Sequence, residues 1–241
     1  MIKKILTFVA LCAAIVLNIN SQTSSTDIDY KKDIIFNSNN HKGTPYRIPA
    51  IATLNNGTVL AIADQRPCGN DVGHGEVDIY AKVGNLNVDG SYSWNPSSTD
   101  PSANGGLMIA DGNSDNGYGD AAVVVDRESG NVLVICVAGK VVFGEGTNKK
   151  HNQMARIVAT ANKGTGELTW QSPQDVTTAF FDNLLPKAYT MFMASGRMIQ
   201  SQQVKVGNYY RIYGALLVKE SGGNNNYVVY SDDFGASWTI L

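Results

Sequence analysis

Two arginines and one carboxylate stand out in the first third of the chain. The segment GTPYRIPAIATLNNGTVLAIADQRPCGND, residues 43–71, carries Arg47 near its start, Arg66 near its end and Asp71 five positions further on. Most of what lies between the arginines is apolar, and a guanidinium is costly at the mouth of a core unless it meets something planar and anionic. A carboxylate fits that description. Asp71 itself sits in CGNDVGHGE, a glycine-rich loop that can hold an acid over a bound ligand for proton transfer. His74 and Glu76 in the same loop compete for that role. The plainer alternatives are that both arginines only pair with Asp64 or Asp78, and that the loop acids are only solvated.

The elements that must position these groups read as short strands. YRIPAIATL and TVLAIAD flank Asn55-Asn56-Gly57, and an Asn-Gly turn between apolar runs is a strong hairpin signal. The pattern recurs in AAVVVDRESGNVLVICVAG, in MARIVATANKGTGELTW and in YYRIYGALLVKESGGNNNYVVYSDDFGASW. No stretch sustains a 3.6-residue period with caps, and TTAFFDNLLP is at most a short turn of helix. The chain is therefore expected to be all-β.

One motif narrows the architecture. Ser231, Asp233, Gly235 and Trp238 fit Ser-x-Asp-x-Gly-x-x-Trp, the Asp box. The aspartate can accept bonds from the turn's own amides, the glycine permits a positive φ, and the tryptophan folds over the hairpin. The segment from Asn87 to Trp94, with Asp89 between, keeps the Asp-to-Trp spacing, and ANKGTGELTW ends on Trp170. Three tryptophans, each closing such a turn, indicate a blade-like repeat. By itself the motif is structural.

Taken together, YRIPA, DQRP, Asp71, GYGDAAVVVDRESGNVLV, SPQDVT after a Trp turn and the Asp box resemble the bacterial exo-sialidases, or neuraminidases. That resemblance implies a six-bladed β-propeller and a retaining hydrolysis of terminal sialic acids from glycoconjugates. It implies that Arg47 is the first of three arginines clamping the substrate carboxylate, that Arg66 is the additional arginine near the substrate, and that Asp71 is the general acid/base. A carboxylate nucleophile would be repelled by the anionic substrate, so the family uses a Tyr activated by a Glu. In the family that pair and the other two arginines lie downstream of a segment like YSDDFGASWTIL, which ends this chain at Leu241. At roughly 45 to 50 residues per blade, the length suffices for about four blades. The expectation is an incomplete propeller that is inactive alone. The alternative from another class is a non-catalytic glycan-binding propeller that keeps the Asp-box scaffold.

The organisation expected is a signal peptide at 1–21, with Lys3 and Lys4 before an apolar run, then a lead-in at 22–42 and the propeller segment at 43–241. Export to the periplasm or beyond follows from that reading; lipidation at Cys12 is disfavoured by the bulky Leu11 before it. Cys68 and Cys136 lie in different hairpins and are expected to stay unpaired. A formal charge of -2, with no basic run longer than two residues, gives no reason to expect nucleic acid or anionic lipid as a partner. The apolar run at the N-terminus is too short to span a bilayer. His41, His74 and His151 lack zinc-ligand spacing, and Asp111, Asp115 and Asp120 do not match an EF-hand, so neither metal nor cofactor is expected. Met191, Phe192 and Met193 are either core or the wall of a pocket for an N-acetyl methyl. Tyr209, Tyr210, Tyr213, Tyr227 and Tyr230 read as strand packing.

Overall fold

The computed structural model describes residues 34–41, 43–95 and 106–241; the expected signal segment and Cys12 lie outside them. Three sheets follow one another along the chain. The first is built from β1 (Tyr46–Thr53), β2 (Val59–Gln65), β3 (Asp78–Leu86), β4 (Tyr92–Asn95) and β5 (Leu107–Ala110), with β4 and β5 sharing one edge of β3. The second comprises β6 (Gly117–Val125), β7 (Val132–Gly139), β8 (Gln153–Ala161), β9 (Leu168–Trp170) and β10 (Gln174–Asp175). A short helix, α1 (Thr177–Phe181), then leads to the third, made of β11 (Thr190–Met193), β13 (Ile199–Val206), β14 (Tyr209–Glu220), β15 (Gly223–Ser231) and β16 (Thr239–Ile240). Between β11 and β13 the two-residue β12 (Gly196–Arg197) crosses back and pairs in parallel with β6, stitching the third sheet's first strand to the second sheet.

All four expected hairpins form, as β1–β2, β6–β7, β8–β9 and β14–β15. Local turn chemistry explains them. At Asn55-Asn56-Gly57, Gly57 takes φ 85°, Leu54 N donates to Thr58 O at 2.8 Å, and Asn56 Oδ1 accepts from Thr58 N. β1 alternates between buried and exposed positions from Pro49 to Thr53, whereas β7, VLVICVAG, is buried at all eight positions because sheets pack on both its faces. One core joins the first and second sheets through Ile62, Ile79, Val134 and Ile157; another joins the second and third through Leu133, Met154, Leu216 and Val229, with Phe180 and Phe181 of α1. On the first sheet's other face Lys82, 1% exposed, donates to Ile35 O at 2.7 Å and lies over the Phe36 ring, while Ile51 is exposed. The third sheet's other face leaves Ile199, Val228 and Ile240 exposed.

The tryptophan turns occupy equivalent places. Trp94, Trp170 and Trp238 close the β3–β4, β8–β9 and β15–β16 connections, each leading into a short strand at an edge of its sheet. In the Asp box, Ser231 Oγ donates to Asp233 Oδ1 and accepts from Gly235 N, both at 2.8 Å, while Asp233 accepts from Ser237 N at 2.9 Å. Burial pushes the Asp233 carboxyl up, but the bonds from Ser237 and Ser231 outweigh it and hold the group below its usual range. Gly235 takes φ 84° as expected, and Phe234 before it takes φ 58°, a left-handed residue not anticipated. Arg156 ties the turn to the second sheet by donating to Phe234 O at 2.9 Å.

The fold is all-β, an incomplete propeller of blade-like antiparallel sheets. Three such sheets lie among the described residues. Cys68 and Cys136 are both free.

Candidate active site

Backbone irregularities aim the first groups. The β1–β2 register slips between Arg47 and Ala50, and Ile48 adopts φ 52°. A β-branched residue before proline disfavours that conformation twice over, so the bulge is held by its surroundings and re-aims the strand beside Arg47. The same device recurs on β6, which packs against β1: the β6–β7 register slips between Gly119 and Ala122, and Asp120 takes φ 56°. Both kinks meet at Asp64, at the end of β2. Asp64 Oδ1 and Oδ2 accept the Asp120 N–H at 3.2 and 3.1 Å. Gly119 has to be glycine, since a Cβ there would lie 2.7 Å from Asp64 Oδ2 and 2.8 Å from Val72.

Arg66 is the hub of the charged cluster. Its guanidinium is 1% exposed; one arm meets Asp64 Oδ2 at 2.8 Å and lies 3.5 Å from Asp120 Oδ1, and the other bonds Asp71 Oδ1 and the Asn70 carbonyl. Arg47 reaches the same Asp71 oxygen from the solvent side at 3.1 Å. Burial dominates for Asp64 and lifts its carboxyl to about 7, with Arg66 opposing and the Asp120 charge reinforcing. Burial likewise raises Asp120, against the pull of Arg66. Burial would lower Arg66, but the bond and charge of Asp64 overcome it and keep the guanidinium protonated.

Residues 67–77 carry Asp71 between β2 and β3. Asp71 N is capped by Asn70 Oδ1 at 2.8 Å, and its carbonyl accepts from His74 N at 3.1 Å. Gly73, at φ 103°, lets this loop press on the β7–β8 connection, since a Cβ would lie 2.7 Å from the Val141 carbonyl carbon. That connection is pinned in turn: Thr190 Oγ1 donates to Phe143 O at 2.7 Å, and Lys219 Nζ donates to Gly144 O. Together they enclose a cavity of about 430 Å³ with Asp71 and Asp120 on one side and Val142, Phe143 and Phe192 on the other. Phe143 and Phe192 meet edge to face, 5.3 Å between centroids. A volume of this order, with carboxylates facing an aromatic wall, suits a small polar ligand bearing an apolar substituent.

The structure therefore brings Arg47, Arg66 and Asp71 together. It separates their environments: Arg47 is about half exposed, whereas Arg66 is sealed and makes the Asp64 pair that was its plainer alternative, in addition to bonding Asp71. Phe192 lines the cavity, while Met191 and Met193 are core. Asp64, Asp120 and Phe143 escaped the sequence reading as site residues. The Gly-x-Gly-Asp run at 117–120 was the available signal for Asp120, because paired glycines inside a strand mark a bulge. His74 and Glu76 are exposed, and among the described residues the ion pairs of both arginines run to Asp71 rather than to Glu76. Tyr227 does donate to Glu220 at 3.2 Å, but it packs on the core between the second and third sheets, and burial raises its hydroxyl, the opposite of activation.

No family model matches the chain. It is 28% identical over 205 residues to a sialidase of Micromonospora viridifaciens and 25% identical over 209 residues to a sialidase of Bacteroides fragilis, covering 83% and 81% of this chain. It spans only 29% and 34% of those relatives' lengths. Among solved structures, the leech intramolecular trans-sialidase complexed with 2,7-anhydro-Neu5Ac superposes with a TM-score of 0.63 at 11% identity, covering 90% of this chain and 46% of that one. The resemblance read from the motifs and the sialidase-type propeller fold both stand.

Proposed function

We propose that this sialidase-like chain supplies the carboxylate-binding and proton-transfer side of an exo-α-sialidase active site, acting on terminal sialic acids of exported or extracellular glycoconjugates. The observation that carries the reading is the convergence of Arg47, Arg66 and Asp71, drawn from the YRIP, DQRP and loop segments, on one ion-paired cluster at the cavity.

Arg47, exposed at the cluster, binds the substrate carboxylate through its planar fork. Asp71 protonates the departing aglycone oxygen and later takes a proton from the attacking water, as a retaining mechanism requires. Arg66 acts through Asp71 as a positioning residue, because its guanidinium is sealed from any ligand. Phe143 and Phe192 offer an apolar wall to an N-acyl substituent. The nucleophilic Tyr–Glu pair and two further arginines have no assigned residues here, so the 241-residue chain alone is expected to be inactive. The Asp box is scaffold in this reading, and the N-terminal segment directs export.

The test is release of a fluorogenic aglycone from a sialoside, by this chain and by a longer polypeptide that contains it at its relatives' length. Turnover is expected from the longer protein, with a loss of about 10²- to 10⁴-fold on Asp71→Ala. Undiminished turnover by that variant would remove Asp71 from the role; turnover by the chain alone would refute the expected inactivity.

A further inference from the structure

Arg47 and Arg66 hold the same oxygen of Asp71, but not equally. Arg66 is buried and anchored by Asp64, so its grip on Asp71 is fixed from below. Arg47 meets Asp71 through a single nitrogen at 3.1 Å, with the two side chains 47% and 61% exposed. A one-point contact between exposed groups is a weak ion pair, whereas a free carboxylate can engage a guanidinium through two parallel bonds. Asp71 thus sits where a ligand's carboxylate would bind, on the weaker side of its own two attachments.

Building on the proposed function, we infer that Asp71 is an internal competitor for Arg47 and that the ligand carboxylate releases it. An incoming carboxylate takes the Arg47 fork with two bonds and displaces the single one. Asp71 keeps its tether to Arg66, so it stays beside the ligand with its carboxyl free to turn toward it. A sugar without the carboxylate cannot displace Asp71 from Arg47 and leaves it engaged. Selectivity for acidic sugars then comes from the exchange as well as from attraction to Arg47, and Asp71 is a specificity-determining residue besides any part in proton transfer.

The experiment titrates the 241-residue chain with N-acetylneuraminate and with its neutral methyl ester, followed by NMR. Wild type is compared with Asp71→Asn, Arg47→Ala and Glu76→Gln. Asp71→Asn is expected to bind the acid about two- to fivefold more tightly, the range of a partly exposed ion pair, and the ester no better. Glu76→Gln removes a charge from the same loop without touching either arginine and should change neither affinity. Equal tightening by Glu76→Gln would reduce the effect to general repulsion and overturn the competition, as would unchanged or weaker acid binding by Asp71→Asn while Arg47→Ala still abolishes it. Binding indifferent to Arg47→Ala, or absent from wild type and Asp71→Asn alike, would overturn the carboxylate-binding reading beneath it. A ligand-bound structure gives an independent check: Arg47 should bond the ligand with Asp71 beyond hydrogen-bond distance, and a retained Arg47–Asp71 bond would refute the exchange.

Discussion

Replacing Arg66 with Met removes the cation around which the candidate site is organised while keeping most of the side chain's apolar bulk. Asp64 is then left 0% exposed without the guanidinium that meets it at 2.8 Å, and Asp120 and Asp71 lose their shared partner. Removing one member of a buried pair costs about 3 to 5 kcal/mol, a large share of the roughly 5 to 15 kcal/mol that holds a typical domain together. The loss depends on pH in a stated direction. Asp64 already titrates in the folded state near 7, above its usual 3.8, because burial favours the neutral acid. A folded value above the unfolded one makes stability fall as pH rises through that window, between about 4 and about 7. Without Arg66 the folded value rises further, so the variant should gain more than the wild type on acidification. Urea unfolding at about pH 7.5 and about pH 5 measures this. The deficit of Arg66→Met should shrink clearly at the lower pH, and Asp64→Asn should recover part of it at the higher one. A deficit below about 1 kcal/mol at the higher pH, within the range of an exposed pair, or one of equal size at both, would refute the buried-hub argument.

Gly119→Ala tests the crowding beneath Asp120. Its Cβ would meet Asp64 Oδ2 at 2.7 Å and Val72 at 2.8 Å, so thermal unfolding should show a loss of about 1 to 3 kcal/mol, as overpacking costs; an unchanged midpoint would show that the kink yields freely. Asp233→Ala removes the acceptor of the Ser231 hydroxyl and of the Ser237 amide and hydroxyl. About 2 kcal/mol should be lost, as two or three modest bonds allow, and circular dichroism melts that coincide with the wild type would contradict the structural role given to the turn.

Much of this protein was legible along the chain because its cause is local. Gly57 and the Asn55-Asn56 pair make the first hairpin from within five residues, and the Asp-box bonds all fall within four residues of one another. Arg66 and Asp71 are likewise five apart, close enough for one loop to join them. Alternation of apolar residues, however, repeats in every strand and does not say which strand will neighbour which. The meeting of Arg47 with Asp71 spans 24 residues, that of Asp64 with the Asp120 backbone 56, and that of Lys219 with Gly144 75. Those contacts exist because β1 and β6 pack together with bulges that leave no periodic trace, at Ile48 and Asp120. The types of residue along the chain set the chemistry available to the site. The packing of one sheet on the next sealed Arg66, left Arg47 open, and drew Asp120 and the phenylalanine pair to the same cavity, since burial and distance are properties of neighbours in space.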